Sequence, residues 1–234
     1  MLATSRFIFV HLHKTGGQFI NRLLLYMLPD ARPILYHLPR AETPGELRHL
    51  PAIGFVRNPW DWYVSWYNFN AVNPLRNPIF AAVSDDGQRD FKQSIFNMLH
   101  LGCASHRLMR QRIINSLPIS RDNNLGSGIT KAIMTGFNDE NAGYFSWLWR
   151  YMFFVDGELA GMHMGRMEDL RHDLIRLLDE VHQPLSIEQR NMILQAPAVN
   201  VSARPDYHKY YDDELRNIVL DREREFLGNC PYKF

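Results

Sequence analysis

A short apolar run that ends in two adjacent glycines is the feature that most constrains this chain. Residues 6–11 are apolar and rich in β-forming side chains, Lys14-Thr15-Gly16-Gly17 interrupts the run, and residues 18–28 place apolar side chains at helical spacing. This order predicts a strand, a glycine-containing loop and a helix. Because the first backbone N–H groups of a helix have no partners within it, they point at whatever the loop holds.

The glycine-containing loop is a candidate anion site. Gly16 and Gly17 allow the backbone to approach a ligand closely and Lys14 adds a positive charge, so phosphate or sulfate fits this chemistry. The lysine precedes the glycines here, whereas the nucleotide-triphosphate pattern G-x-x-x-x-G-K-[ST] places it after them. Taken alone, the segment is equally compatible with a tight turn that binds no ligand.

A second polar cluster follows a later strand. Residues 52–56 are apolar and predict a buried strand, and Arg57 comes directly after it. Asn58-Pro59 then begins a helix with Asn58 as its N-cap, and Ser65 lies about two turns into that helix. Open α/β sheets bind ligands at the carboxyl ends of their strands, so Arg57 and Ser65 can share one phosphate. The alternative is a surface ion pair for Arg57 and an ordinary helical position for Ser65.

The alternation of strands and helices predicts an α/β fold. Its expected form is P-loop-like, with three layers and a central parallel sheet flanked by helices. The sequence contains no internal repeat or low-complexity linker, so residues 1–234 are expected to form a single domain. The other expected elements are a strand at 33–37, a helix from Thr43, helices at 89–101, 105–115, 166–182 and 211–227, and a hairpin around Asp156-Gly157.

Charge and composition argue against several classes of protein. The 234 residues include 26 basic and 25 acidic side chains, and the resulting net charge of +1 does not favour a general nucleic-acid binder. Cys103 and Cys230 are far apart and are expected to be reduced thiols. The apolar N-terminal run predicts a strand rather than a signal peptide. No run reaches the ~18 apolar residues of a membrane span, so a soluble, cytoplasmic protein is expected.

The two polar clusters together resemble the motifs of sulfotransferases that use 3′-phosphoadenosine-5′-phosphosulfate (PAPS), in particular the branch that includes carbohydrate sulfotransferases. Residues 11–17, HLHKTGG, are similar to the phosphosulfate loop of that family, H-x-P-K-T-G-G-T-S/T. Residues 56–67, VRNPWDWYVSWY, are similar to its 3′-phosphate motif, V-R-N-P-x-D-x-x-V-S-x-Y. Further similarities lie at 165–170, GRMEDL, and in the segment from Asn200 to Tyr211.

The resemblance implies a donor site residue by residue. Lys14 is expected to contact the phosphosulfate and to stabilise charge on the bridging oxygen as its bond to sulfur breaks. Arg57 and Ser65 are expected to hold the 3′-phosphate, while Ser202 and Arg204 lie in what resembles a late loop over the donor. The backbone amides expected on the 5′-phosphate are those of Thr15, Gly16, Gly17, Gln18 and Phe19.

The glycine-containing loop departs from the family pattern at three positions. His13 replaces a proline, Gln18 replaces a threonine, and Phe19 stands where a small hydroxyl residue is common. Gln18 can donate through its backbone and its amide, so anion binding is retained, but it does not supply the hydroxyl contact to a donor phosphate. The resemblance spans about 7–70 and 160–228 and leaves the middle of the chain uncovered.

An acceptor needs a general base about 3 Å from the proton that it loses. His37 is the candidate, because it follows the second expected strand at the sheet edge of the glycine-containing loop and its ordinary pKa of about 6.5 suits the role. The matching branch of the family usually has a histidine base after this strand. Glu42 and Glu46 are the alternatives. His11 is interpreted as a structural residue at a strand end, and His13 as a border of the loop.

The resemblance therefore implies an enzyme, a PAPS-dependent sulfotransferase with Lys14 and His37 as its catalytic residues. It would move the sulfuryl group in line onto a hydroxyl or amine of a small-molecule or carbohydrate acceptor. PAPS is the expected donor substrate and 3′-phosphoadenosine-5′-phosphate (PAP) the product. No metal is expected to be required, because the transferred group carries less charge than a phosphoryl group.

The acceptor side is expected to be built by residues 73–160. The aromatic stretch at 144–154 is interpreted first as core packing and second as the lining of an acceptor pocket. Two other functions stay open from the sequence: a magnesium-dependent nucleotide phosphotransferase, and a non-catalytic protein that binds PAPS or PAP.

Overall fold

The computed structural model describes residues 1–121, 128–159, 161–199 and 204–234. The chain divides into two compact units. The first unit comprises Met1–Arg57 and Arg150–Val201, and the second comprises Asn58–Trp149 and Ser202–Phe234. Two compact units can still fold as one domain, so the expected single domain stays a prediction.

A five-stranded sheet forms the centre of the first unit. The order across the sheet is β3-β1-β2-β4-β5; β2, β4 and β5 run parallel, while β1 is antiparallel to both β2 and β3. The α/β class is therefore confirmed, and the sheet is mixed, with the expected parallel arrangement limited to β2, β4 and β5. The strands are Leu2–Ala3 (β1), Ile8–Val10 (β2), Arg32–Pro33 (β3), Ala52–Val56 (β4) and Met162–Arg166 (β5).

The sheet is mixed because the chain reverses sharply between β1 and β2. The Thr4 N–H donates to the Phe7 carbonyl at 3.0 Å, and the Thr4 hydroxyl accepts from the Phe7 N–H at 3.0 Å. This tight turn pairs Leu2 with Phe9 in antiparallel register. Hydroxyl side chains favour such turns because they bond to nearby backbone groups.

Helices account for most of the remaining described chain. The helix expected from Thr43 is only a short 3₁₀ helix at Gly45–Leu47. Another 3₁₀ helix, Arg40–Glu42, precedes it. In chain order, the described α-helices are Gly17–Met27 (α1), Pro59–Ala71 (α2), Pro78–Ser84 (α3), Phe91–Leu99 (α4), Arg107–Ser116 (α5), Lys131–Thr135 (α6), Tyr144–Phe153 (α7), Leu170–Glu180 (α8), Ile187–Gln195 (α9), Asp213–Arg222 (α10) and Arg224–Asn229 (α11). Within the described ranges, none of these helices has both the length and the apolar character needed to cross a membrane.

Both faces of the sheet are covered within the first unit. Phe9, Ile53 and Phe55 belong to one core cluster with apolar side chains of α1, α8 and α9. On the opposite face, Phe153 packs so closely on Gly54 that a Cβ at this glycine would lie 2.6 Å from the ring. The close packing on both faces explains why β4 is a run of five buried residues rather than an alternating pattern.

Several expected elements are confirmed with shifted boundaries. β4 has the expected bounds, and α2 begins after Asn58, whose side chain accepts a hydrogen bond from the Trp60 N–H at 3.0 Å. The helix expected at 166–182 begins as a 3₁₀ turn and continues as α8, and the one expected at 211–227 is divided into α10 and α11.

One expected strand is wrong, and one expected hairpin is present only as its turn. Residues 33–37 contribute only Pro33 to β3. The Ile34 N–H donates to the carbonyl of Met1, the residue before β1, and His37 then adopts a left-handed φ of 51°, which no strand accommodates. The hairpin around Asp156-Gly157 is reduced to one isolated bridge between Val155 and Glu158, since the segment before it is the helix α7.

The second unit is organised around a buried carboxyl group. Glu223 is fully buried, and it accepts hydrogen bonds from the Tyr63 hydroxyl at 2.5 Å and from the N–H and hydroxyl of Ser146 at 2.7 and 2.6 Å. Burial raises the pKa of Glu223, and the bonds from Ser146 and Tyr63 act in the opposite direction. This network joins α2, α7 and the residue that follows α10.

Most of the aromatic stretch at 144–154 packs inside the protein. The core interpretation is confirmed for its buried members, which include Phe145 and Trp149 in contact with Phe226. The Trp62 ring also contacts Phe145, at a centroid distance of 4.9 Å and a tilt of 40°. The buried members are Tyr144, Phe145, Trp147, Trp149 and Phe153.

Replacing Tyr63 by Phe tests the buried carboxyl network. Tyr63→Phe removes one of the donors to Glu223 and leaves a buried acceptor short of a partner, so the free energy of unfolding should fall by about 1–3 kcal/mol in urea denaturation. Tyr26→Phe is the matched control, because Tyr26 is 77% exposed and should tolerate the change. Equal transition midpoints for the two variants would contradict the structural role of this bond.

Candidate functional site

The glycine-containing loop, residues 11–17, connects β2 to α1. Lys14 and Gly16 both adopt left-handed backbone angles, with φ of 60° and 77°. Gly16 is the N-cap of α1 and contributes no side-chain cap, and the first helical bond runs from the Ile20 N–H to the Gly16 carbonyl at 3.2 Å. The helix therefore begins with backbone donors that no capping side chain takes up, as the sequence predicts for an anion site.

Neighbouring side chains leave no room for a Cβ at either of the two glycines. A Cβ at Gly17 would lie 1.8 Å from Cδ2 of His11, so the imidazole occupies the space that any other residue would fill. A Cβ at Gly16 would lie 2.8 Å from the Met167 sulfur, and the left-handed φ adds to the cost. The sequence argument attributed the glycines to ligand approach or to a tight turn, and it missed this packing.

Thr15 closes the loop internally. Its hydroxyl donates to the Leu12 carbonyl at 2.9 Å and the residue is only 1% exposed. The side chain is thus committed to the loop, and the expected contact of Thr15 with a phosphate would use its backbone N–H. Phe19 is likewise buried, and its ring lies 5.2 Å from the guanidinium of Arg171.

Arg57 meets this loop at the carboxyl edge of the sheet. β2 and β4 are parallel neighbours, and Arg57 follows β4 directly. Its Nη1 donates to the Lys14 carbonyl at 3.0 Å. The structure therefore brings together one residue from each of the two polar clusters, through the strand-end geometry on which the sequence argument depends.

His37 lies against the same loop, although not at the end of a strand. The residue is 5% exposed and its Nδ1 lies 2.8 Å from the His11 carbonyl. A carbonyl oxygen only accepts, so Nδ1 carries the proton and the neutral ring presents its lone pair at Nε2. This tautomer is the one that a general base at Nε2 requires.

Two other imidazoles, those of His11 and His13, contact the His37 ring. The His13 ring stacks on it with a centroid distance of 3.6 Å and an interplanar angle of 9°, and the His11 ring lies 4.4 Å away. His11 is 4% exposed, and its Nδ1 has no hydrogen-bond partner among the described residues. The sequence predicted neither contact, because residues this far apart in the chain carry no local signal of meeting.

Burial keeps the His11 and His37 rings neutral. It lowers the pKa of His37 well below 6.5, with smaller contributions in the same direction from His13 and His11. Burial also lowers the pKa of His11, again with a contribution from His13. Both rings are therefore uncharged at neutral pH, which for His37 is the state that can accept a proton.

Tyr36 connects the turn that carries His37 with the first turn of α1. Its ring lies edge-on to His37 at 4.3 Å and to His11 at 5.0 Å. Burial raises the pKa of Tyr36, and a hydrogen bond from the Gln18 side chain opposes that shift. Gln18 and His13, two of the departures from the family pattern, thus both contact the turn at residues 36–37.

The alternative bases lie in two short 3₁₀ helices. Glu42 ends the first of these helices and Glu46 occupies the second, and both residues are exposed. His37 is the candidate that the structure packs against the glycine-containing loop. The identity of the base nevertheless stays a prediction.

The remaining expected donor residues belong to the second unit or lie outside the described residues. Ser65 is half-buried in α2, one turn beyond Asp61, and Asp61 forms an ion pair with Arg204. The second guanidinium nitrogen of Arg204, Nη1, is buried and has no partner among the described residues. Ser202 falls outside the described residues. The assignment of Ser65, Ser202 and Arg204 to a donor stays a prediction.

No protein-family model matches the chain, and no curated protein matches it significantly. Among the described residues, no group of three or more His, Cys, Asp or Glu side chains is arranged to hold a metal ion.

Gly17→Ala tests whether His11 fixes the loop. The new methyl group would collide with the imidazole, so the variant should lose about 1–3 kcal/mol of unfolding free energy in urea denaturation. In a His11→Ala background the same change should cost less than about 0.5 kcal/mol, because the obstruction has been removed.

Gly45→Ala is the matched control for this pair, since a Cβ at Gly45 would meet nothing within 4 Å. An equal cost of Gly17→Ala with and without the His11 ring would show that another contact requires the glycine.

Proposed function

We propose that this chain is a PAPS-dependent sulfotransferase with a P-loop-like, three-layer architecture. The observation that carries the proposal is the hydrogen bond from Arg57 to the Lys14 carbonyl, which joins the two motif-bearing segments at the carboxyl edge of the sheet. This edge is where open α/β sheets bind ligands, so the meeting of the two segments there supports a shared donor site.

The donor is held by backbone groups and placed cations. The N–H groups of the loop and of the first turn of α1 bind the 5′-phosphate, and Lys14 stabilises the bridging oxygen. Arg57 binds the 3′-phosphate, with Ser65, Ser202 and Arg204 as the further residues proposed for the donor. The 3′-phosphate is what distinguishes PAPS from ordinary adenine nucleotides, so Arg57 determines donor specificity.

Sulfuryl transfer is an in-line displacement at sulfur. The acceptor oxygen or nitrogen forms a bond to sulfur while the bond from sulfur to the bridging oxygen breaks, and the electron pair of that bond leaves with PAP. Positive charge near the bridging oxygen stabilises the departing charge, and placement of the groups supplies most of the remaining rate enhancement.

His37 takes the proton that the acceptor loses. The bond from Nδ1–H to the His11 carbonyl supports this role, because it leaves the Nε2 lone pair for the acceptor. Burial supports it too, since the lowered pKa keeps the ring neutral above the acidic range. The acceptor is proposed by class only, as a hydroxyl or amine on a small molecule or carbohydrate.

Arg57→Ala tests the donor assignment. Isothermal titration should show PAP affinity reduced about 10- to 100-fold, the loss expected for one charge-assisted contact to phosphate. Affinity for 5′-AMP, which lacks only the 3′-phosphate, should change less than about 3-fold. That comparison separates loss of the phosphate contact from distortion of the loop that Arg57 also supports.

Arg32→Ala is the matched control, because Arg32 is an exposed arginine of the same unit. An unchanged ratio of PAP to AMP affinity in Arg57→Ala would remove the 3′-phosphate assignment. Tight magnesium-dependent binding of ATP in preference to PAP by the wild-type protein would favour a phosphotransferase instead.

His37→Ala tests the base in a transfer assay with labelled PAPS and a panel of sugars, oligosaccharides, phenols and lipid alcohols. The variant should lose about 10²- to 10⁴-fold in kcat with PAP affinity nearly unchanged. Since His37 must be neutral and its pKa is lowered, wild-type kcat/KM should fall only when the pH decreases below 6.5.

His49→Ala, at an exposed histidine, should behave as wild type. Full turnover by His37→Ala would transfer the role of base to Glu42 or Glu46. Tight PAP binding without transfer to any member of the panel would favour a non-catalytic binding protein.

A further inference from the structure

The closest aromatic contact at the candidate site joins the glycine-containing loop to the proposed base. The rings of His13 and His37 are nearly parallel, with an interplanar angle of 9° and a centroid distance of 3.6 Å. His37 is almost fully buried, whereas His13 is half-buried. A flat stack at this distance restrains the plane of the His37 ring from one face.

Other contacts to His37 come from the same region of the chain. The His11 carbonyl accepts from Nδ1 at 2.8 Å and fixes the rotation of the ring about its axis. Tyr36 contacts it edge-on at 4.3 Å, and Gln18 at the start of α1 bonds to the Tyr36 side chain. His11 and His13 lie in the loop itself, and Gln18 follows directly after it.

We propose that His13 is a positioning residue for His37, so that the loop expected to bind the sulfuryl donor also holds the base that deprotonates the acceptor. The inference rests on the proposed function. It gives a purpose to the histidine at position 13, where the similar family has a proline.

The physical reason lies in the small tolerance of proton transfer. A base must bring its lone pair to about 3 Å from the proton, and a displacement of about 1 Å can cost 10²-fold in rate. His37 sits on a turn with a left-handed φ of 51°, not on a strand. Its side chain therefore depends on neighbours for orientation, and the stacked His13 ring supplies a flat surface against it.

Titratable groups from several segments of the chain face His37. They are His11 at the end of β2, His13 in the loop, Tyr36 in its own turn, and the terminal amine of Met1. Both neighbouring imidazoles oppose a positive charge on His37. A phenyl ring at position 13 would keep the flat surface and remove that electrostatic effect.

Two substitutions separate the surface from the charge. In the full-length protein, His13→Ala should lower kcat about 10- to 100-fold at pH 8 while the Kd for PAP changes less than about 2-fold. His13→Phe should retain most of kcat at pH 8, but the fall of kcat/KM in acid should begin at a higher pH than in wild type. His172→Ala, at an exposed histidine, serves as the control.

Imidazole ¹⁵N NMR without any substrate provides a readout that does not depend on transfer. Wild type and His13→Phe should show the Nδ1–H tautomer of His37, and His13→Ala should show a mixture of tautomers. In His13→Phe, the titration of His37 should move upward, towards 6.5.

The outcomes distinguish this inference from the proposed function. Absence of transfer by the wild-type protein would overturn the proposed function and the positioning role with it. An active wild type with unchanged kcat in His13→Ala and an unchanged His37 spectrum would overturn the positioning role alone.

Discussion

The parallel pairing of β2 with β4 is the constraint on which the candidate site depends. Its register, from Ile8 opposite Ala52 to Val10 opposite Gly54, sets both strand ends at one edge of the sheet. The chain leaves β2 into the glycine-containing loop and continues past β4 into Arg57. One hydrogen bond then joins segments 43 residues apart, at a loop whose helix has no side-chain cap.

The loop conformation is fixed by packing within the first unit. The His11 ring fills the space beside Gly17, and Met167 fills the space beside Gly16. The Thr15 hydroxyl closes the turn on the Leu12 carbonyl. An ordered loop loses few conformations on binding, which lowers the entropic cost of the donor site that we propose.

The two units bury ionisable groups in different ways. In the second unit, Glu223 is surrounded by donors from Tyr63 and Ser146, as a structural carboxyl group should be. In the first unit, His11 and His37 are equally buried but have fewer hydrogen bonds and more ring contacts. Buried groups with perturbed pKa values and incomplete hydrogen bonding destabilise a fold, and they concentrate where chemistry is performed.

The sequence by itself determined the elements whose signals are local: the helix after Gly16-Gly17, the apolar run of β4, and the start of α2 at Asn58 and Pro59. It also predicted that Lys14 and Arg57 each come after a strand, as the structure has them. It missed the antiparallel β1, the helix α9, and the left-handed turn at His37 that replaces an expected strand. Only the tertiary structure decided that His13 stacks on His37 and that His11 requires Gly17 to be a glycine. Periodicity and capping act between residues a few positions apart, whereas these contacts join distant segments whose meeting depends on how the sheet and its helices pack.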